Sequence, residues 1–118
     1  MARDTHIYGE IDSETNLRKV FRAIRREVKG AASRPALTEL YRRAGYLITL
    51  THAPSWEAKF GKSTNALRHV GMDEFRNTAE AINRRAARIG TEPNFDYKSS
   101  ERPKYIEAFF VQHRLGCG

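Results

Sequence analysis

The chain has one cysteine in 118 residues, Cys117, set between two glycines near the end of the sequence. A lone thiol excludes an internal disulfide and any zinc site built from paired cysteines, and its neighbours give it no rigid surroundings for metal or nucleophile chemistry. The expectation is a protein of the reducing cytoplasm. Long hydrophobic runs are missing as well. No stretch approaches the roughly 18 apolar residues of a membrane span, and the opening MARDTHIYGEID has no apolar core of the kind a signal peptide carries. Neither a membrane partner nor secretion is expected. There is no Gly-rich phosphate loop, Cys-x-x-Cys pair, His-Glu-x-x-His pattern or nucleophile elbow, and no internal repeat or low-complexity tract. Acidic charge is scarce against basic: 14 Asp and Glu face 21 Lys and Arg, for a net charge of +7. That balance favours nucleic acid, an acidic protein or anionic lipid as partner.

What is present fits a single domain with a modest core under a highly charged surface, since 40% of residues are apolar and 30% charged. The clearest element is Asn16 to Lys29. At about 100° per residue, Leu17, Val20, Phe21, Ile24 and Val28 fall on one stripe, while Arg18, Lys19, Arg22, Arg25, Arg26 and Lys29 share an opposite arc of roughly 120°. No acid of the same helix lies within that arc. Glu27 sits at the edge of the apolar stripe and Glu14 precedes it.

The rest of the chain reads as further helices. Residues 1–13 form a flexible or extended arm ending at a cap around Asp12 or Ser13, and residues 14–118 a single helical domain. The first helix stops at Gly30. Ser33 and Pro35 open a second, with Leu37, Leu40, Tyr41, Ala44, Leu47, Ile48 and Thr51 on one side and Tyr46 and Leu50 on the other. A rival reading ends that helix at Gly45 and pairs residues 46–51 as a strand with residues 5–11. The helix is preferred, because a lone two-stranded pairing is marginal and one internal glycine costs only ~1 kcal/mol. His52-Ala53-Pro54 breaks the chain. A short turn follows over Trp56 to Phe60, capped by Ser55, and a short helix then runs from Ser63 or Thr64 to Gly71. Asp73 is expected to cap a longer helix, Glu74 to Ile89, with Phe75, Ala79, Ile82, Ala86 and Ile89 inward. Its polar side alternates Arg76, Glu80 and Arg84, spaced to satisfy one another. Phe95 and Tyr97 anchor the break that follows. A last helix, Lys104 to Leu115, is apolar on more than one side.

Candidate chemistry is sparse. His52, His69 and His113 each fall near the C-terminal end of a predicted helix, where the dipole favours an imidazolium, and His6 is isolated. A metal trio of His52, His69 and Glu57 lacks the helical spacing of a ligand set, so no metal and no cofactor is predicted. Asp73, Glu74 and Glu57 read as caps and first-turn acids, and no catalytic residue is assigned. The segment Thr64 to Arg85, two helices around Gly71-Met72-Asp73, loosely resembles a helix-turn-helix. It departs from that pattern at Leu67, Asn77 and Glu80. The resemblance implies a groove-facing set of Arg76, Asn77 and Arg84, with Glu80 repelling phosphate.

The sequence therefore predicts a compact all-α bundle of four to five helices, cytoplasmic and non-enzymatic. It is read as a regulatory or accessory protein that binds nucleic acid through the six cations of the first helix, with Arg76, Asn77 and Arg84 as a secondary set. The alternative is an adaptor for an acidic protein. Tyr46, Leu50, Tyr105, Ile106, Phe109 and Phe110 are the candidate surface for a partner or a homodimer.

Overall fold

A computed structural model describes residues 11–96 of the chain. Within them lie three long helices and a short one: α1 (Glu14–Gly30), α2 (Arg34–Thr51), α3 (Pro54–Phe60) and α4 (Thr64–Arg88), with a single 3-10 turn between the last two. The all-α expectation holds among the described residues, where the helices predicted at 64–71 and 74–89 are one. The predicted final helix and the start of the arm lie outside the described residues.

Local chemistry explains most boundaries. Ser13 caps α1 by accepting from Asn16 N at 3.0 Å, and Ser33 caps α2 by accepting from Ala36 N at 3.3 Å, with Pro35 in its first turn. Ile11 is buried and its carbonyl accepts from Lys59 Nζ, so the segment just before α1 is tied to α3. The first helix keeps Gly30 and ends at Ala31. α3 starts at Pro54 behind Ala53; Ser55 makes no capping bond because it already lies inside the helix. Gly61 closes α3 with φ near 55°.

Two glycines lie inside helices as ordinary helical residues. α2 runs unbroken through Gly45, so residues 46–51 are helical and the strand alternative fails. α4 runs 25 residues through Gly71, Met72 and Asp73, where the sequence suggested a turn. Gly71 is there for packing. A Cβ on it would sit 3.3 Å from Thr51 Cγ2 and 3.7 Å from Ile48 Cδ1, so the missing side chain lets α4 cross closely over α2. Asp73 is an exposed mid-helix residue paired with Arg76, not a cap.

The helices run up, down and up. α2 returns antiparallel to α1, and α4 antiparallel to α2, with Thr51 beside Gly71 and Tyr41 beside Phe75. α1 and α4 are therefore parallel. Leu17, Phe21, Ile24, Leu37, Leu47, Ile48, Phe75 and Ile82 are fully buried where the three meet, each stabilising by ~1.5–3 kcal/mol relative to exposure. After α4, Asn83 holds the strap at Phe95 through paired bonds of 2.9 Å, and Phe95 packs under Tyr41 and the Arg34 guanidinium. Among the described residues, no helix is long and apolar enough to cross a membrane.

Candidate anion-binding surface

The six cations of α1 divide into two groups, and the divider is an acid on another helix. Glu74 projects from α4 into the seam with α1, with its side chain only 9% exposed. Arg18 Nη1 donates to its Oε2 at 3.1 Å and Arg25 Nη1 to its Oε1 at 2.9 Å, so both carboxylate oxygens are engaged. Arg25 also donates to Thr78 Oγ1 at 3.1 Å, and that hydroxyl in turn donates to the Glu74 carbonyl at 2.8 Å. A carboxylate this far from water needs such partners. Arg18 further donates from Nε to Glu14 Oε2 at 3.0 Å. That bond, helped by the field of Glu74, holds its guanidinium above the ordinary range. The expectation of an uncompensated basic arc is corrected: Arg18 and Arg25 join α1 to α4. Glu74 is a seam residue rather than a first-turn acid, because α4 begins ten residues before it.

Lys19, Arg22, Arg26 and Lys29 make no ion pair or hydrogen bond among the described residues, and all four are exposed. Beside them lies a groove of about 470 Å³ between α1 and α4, lined by Arg25, Val28, Lys29, Ala81, Arg84, Arg85 and Arg88. The described lining holds five cations and no acid. Its position follows from the parallel helices. Arg18 meets Glu74, Arg25 reaches Thr78, and Arg85 Nε donates to the Ala31 carbonyl at 2.8 Å, so the C-terminal ends of the two helices finish side by side. Each end carries roughly half a negative charge on its last carbonyls, and cations there offset it. Arg85 does so visibly. Arg84, Arg88 and Lys29 make no bond among the described residues.

The opposite flank of α1 has the reverse character. Arg43 of α2 pairs with Glu27 and with Glu39, both at 3.2 Å, so the α1–α2 seam carries its charge in mixed sign. Glu27 is thus turned away from the basic groove.

Of the secondary set, only Arg84 reaches the groove. Arg76 pairs with Asp73 at 2.9 Å, and Asn77 is exposed. A continuous α4 leaves no helix-turn-helix. The expected exchange among Arg76, Glu80 and Arg84 is absent too: neither Glu80 nor Arg84 makes an ion pair among the described residues. Arg85 and Arg88 were missed, although basic residues in a last turn are a readable sign. Leu50 is buried and Tyr46 is partly buried against the same core; Tyr105, Ile106, Phe109 and Phe110 lie outside the described residues.

His52 caps α2, its Nδ1 3.1 Å from the Ile48 carbonyl. His69 is exposed in the first third of α4 rather than at a helix end, because the helix does not stop at Gly71. His6 and His113 are outside the described residues. Glu57 accepts from Arg68, and among the described residues no three His, Cys, Asp or Glu side chains converge as a metal site. No protein-family model, curated protein sequence or solved structure matches the chain.

Proposed function

We propose that this protein is a small non-enzymatic accessory or regulatory protein that binds nucleic acid through the basic surface of α1 and the end of α4. The observation that supports the reading is the run of cations without a protein partner among the described residues, Lys19, Arg22, Arg26 and Lys29, beside a groove with no acidic lining among them. Long basic side chains on a helix ordinarily find acids at neighbouring positions. Here the acids of α1 are committed elsewhere, Glu14 to Arg18 and Glu27 to Arg43. Contacts of this kind neutralise phosphates and position a protein without reading bases, so weak sequence preference goes with the proposal.

The test is a titration of the chain against mixed-sequence duplex and single-stranded DNA and RNA between 50 and 200 mM salt. Four phosphate contacts correspond to a log-log salt slope of about −3.6 on a duplex. Replacing Lys19, Arg22 and Arg26 by Glu should remove most of the affinity with the helix content unchanged, since all three are exposed. Absence of binding at the lowest salt would sink the proposal and leave an acidic protein as the partner to seek.

A further inference from the structure

The α1–α4 groove has more structure than a generally basic face. Two of its arginines are already committed: Arg25 to Glu74 and Thr78, and Arg85 to the Ala31 carbonyl. Their bonds hold the guanidinium groups as fixed walls. Three cations, Lys29, Arg84 and Arg88, line the same groove without a protein partner among the described residues, over a floor that includes Val28 and Ala81.

The groove carries more positive charge than its surroundings offset. Glu74 offsets Arg25, though it is shared with Arg18. The two adjacent helix ends supply about one negative charge between them. That leaves an excess of roughly three positive charges in a groove of about 470 Å³, the kind of single-sign concentration that focuses an anion. Guanidinium forks suit phosphate oxygens geometrically, and an ammonium adds a point charge. Cations needed only to offset helix ends would number fewer than these.

We infer that this groove is a phosphate-binding subsite, in which Lys29, Arg84 and Arg88 grip one backbone phosphate of the nucleic acid while Arg25 and Arg85 act as positioning residues. The inference rests on the nucleic-acid reading and assigns it a defined anchor point. Duplex DNA and duplex RNA both present this group.

The experiment compares two folded variants, R84Q/R88Q in the groove and K19Q/R22Q/R26Q on the outer face of α1. Affinity is measured for a mixed-sequence DNA duplex and an RNA duplex across 50–200 mM salt. At 0.1 M salt one lost phosphate is worth about 8-fold, so R84Q/R88Q should bind up to about 8-fold more weakly, with a salt slope shallower by about 1. A purely structural role for these arginines would not flatten the slope. In parallel, inorganic phosphate titrated into the wild-type chain should shift the amide resonances of Val28, Ala81, Arg84 and Arg88 to saturation, and these shifts should vanish in R84Q/R88Q. An unchanged slope in R84Q/R88Q, with loss confined to the outer-face variant, overturns the groove and leaves the nucleic-acid reading standing. Shifts spread evenly along α1 overturn the groove as well. No binding of duplex or single strand by the wild-type chain overturns both.

Discussion

Arg22 and Arg25 are three residues apart on α1 and have opposite duties. Arg25 is only 25% exposed and is held by Glu74 and Thr78, whereas Arg22 reaches solvent. Reversing Arg25 would set a second carboxylate against Glu74, in surroundings too dry to screen the repulsion well. R25E should therefore lower the unfolding free energy by about 2 kcal/mol in urea denaturation, after discounting the full cost of breaking a buried pair for the exposure of this one. R22E should stay within ~0.5 kcal/mol of wild type. Equal effects from the two would mean that the Glu74 clamp contributes nothing. The contrast also governs how the binding surface is probed, because a triple reversal that includes Arg25 would confuse unfolding with loss of a ligand contact. A helical wheel of α1 displays its own acids and no others, which is why six cations looked equivalent in sequence while the fold separates them.

Gly71, which looked like a stop in the sequence, and Gly90 differ in what surrounds them. Gly90 follows α4 with φ near 83°, and the bonds from Gly90 N to Ala87 O and Thr91 N to Ala86 O form a Schellman cap. No atom lies within 4 Å of a Cβ built there, so G90A meets only the backbone cost of the left-handed conformation and should destabilise by ~1 kcal/mol. At Gly71 the backbone is helical and the crowding comes from Thr51 and Ile48. G71L should cost about 1–3 kcal/mol through displacement of α2. G71A should fall well below that, since the helix propensity gained, ~1 kcal/mol, works against the tight contact. Thermal unfolding of the three variants separates the roles, and a G71L as stable as wild type would remove the close crossing. The legibility of each element follows the same line. Apolar stripes and Ser caps are local, and they set α1 and α2 nearly to the residue. Whether a glycine ends a helix or lets two helices touch depends on the neighbour it meets. Reading Gly71 as a stop split α4, invented a helix-turn-helix and made a cap of Asp73.

The up-down-up arrangement forces α1 and α4 to be parallel, and with them their dipoles. Their negative ends meet at the groove, where Lys29 from the last turn of α1 and Arg85 and Arg88 from the last turn of α4 gather with Arg84. Sequence reading reached Lys29 and Arg84 from separate arguments and could not join them, because the groove exists only once α4 is one helix lying alongside α1. A cluster with this excess of one sign repels itself, so an anion captured there should stabilise the whole fold by mass action. At ten times its dissociation constant, phosphate would add about 1.4 kcal/mol, or roughly 6 °C in Tm for a chain of 118 residues. The comparison must be made against chloride at matched ionic strength and at millimolar phosphate, where general salting effects are small. Phosphate should then raise the Tm of the wild-type chain and of K19Q/R22Q/R26Q, and leave R84Q/R88Q unmoved. An equal rise in all three would show ordinary screening of a basic protein. A rise confined to chains with an intact groove would mean that the parallel helix ends are balanced only in part by their own side chains, with the ligand supplying the remaining charge.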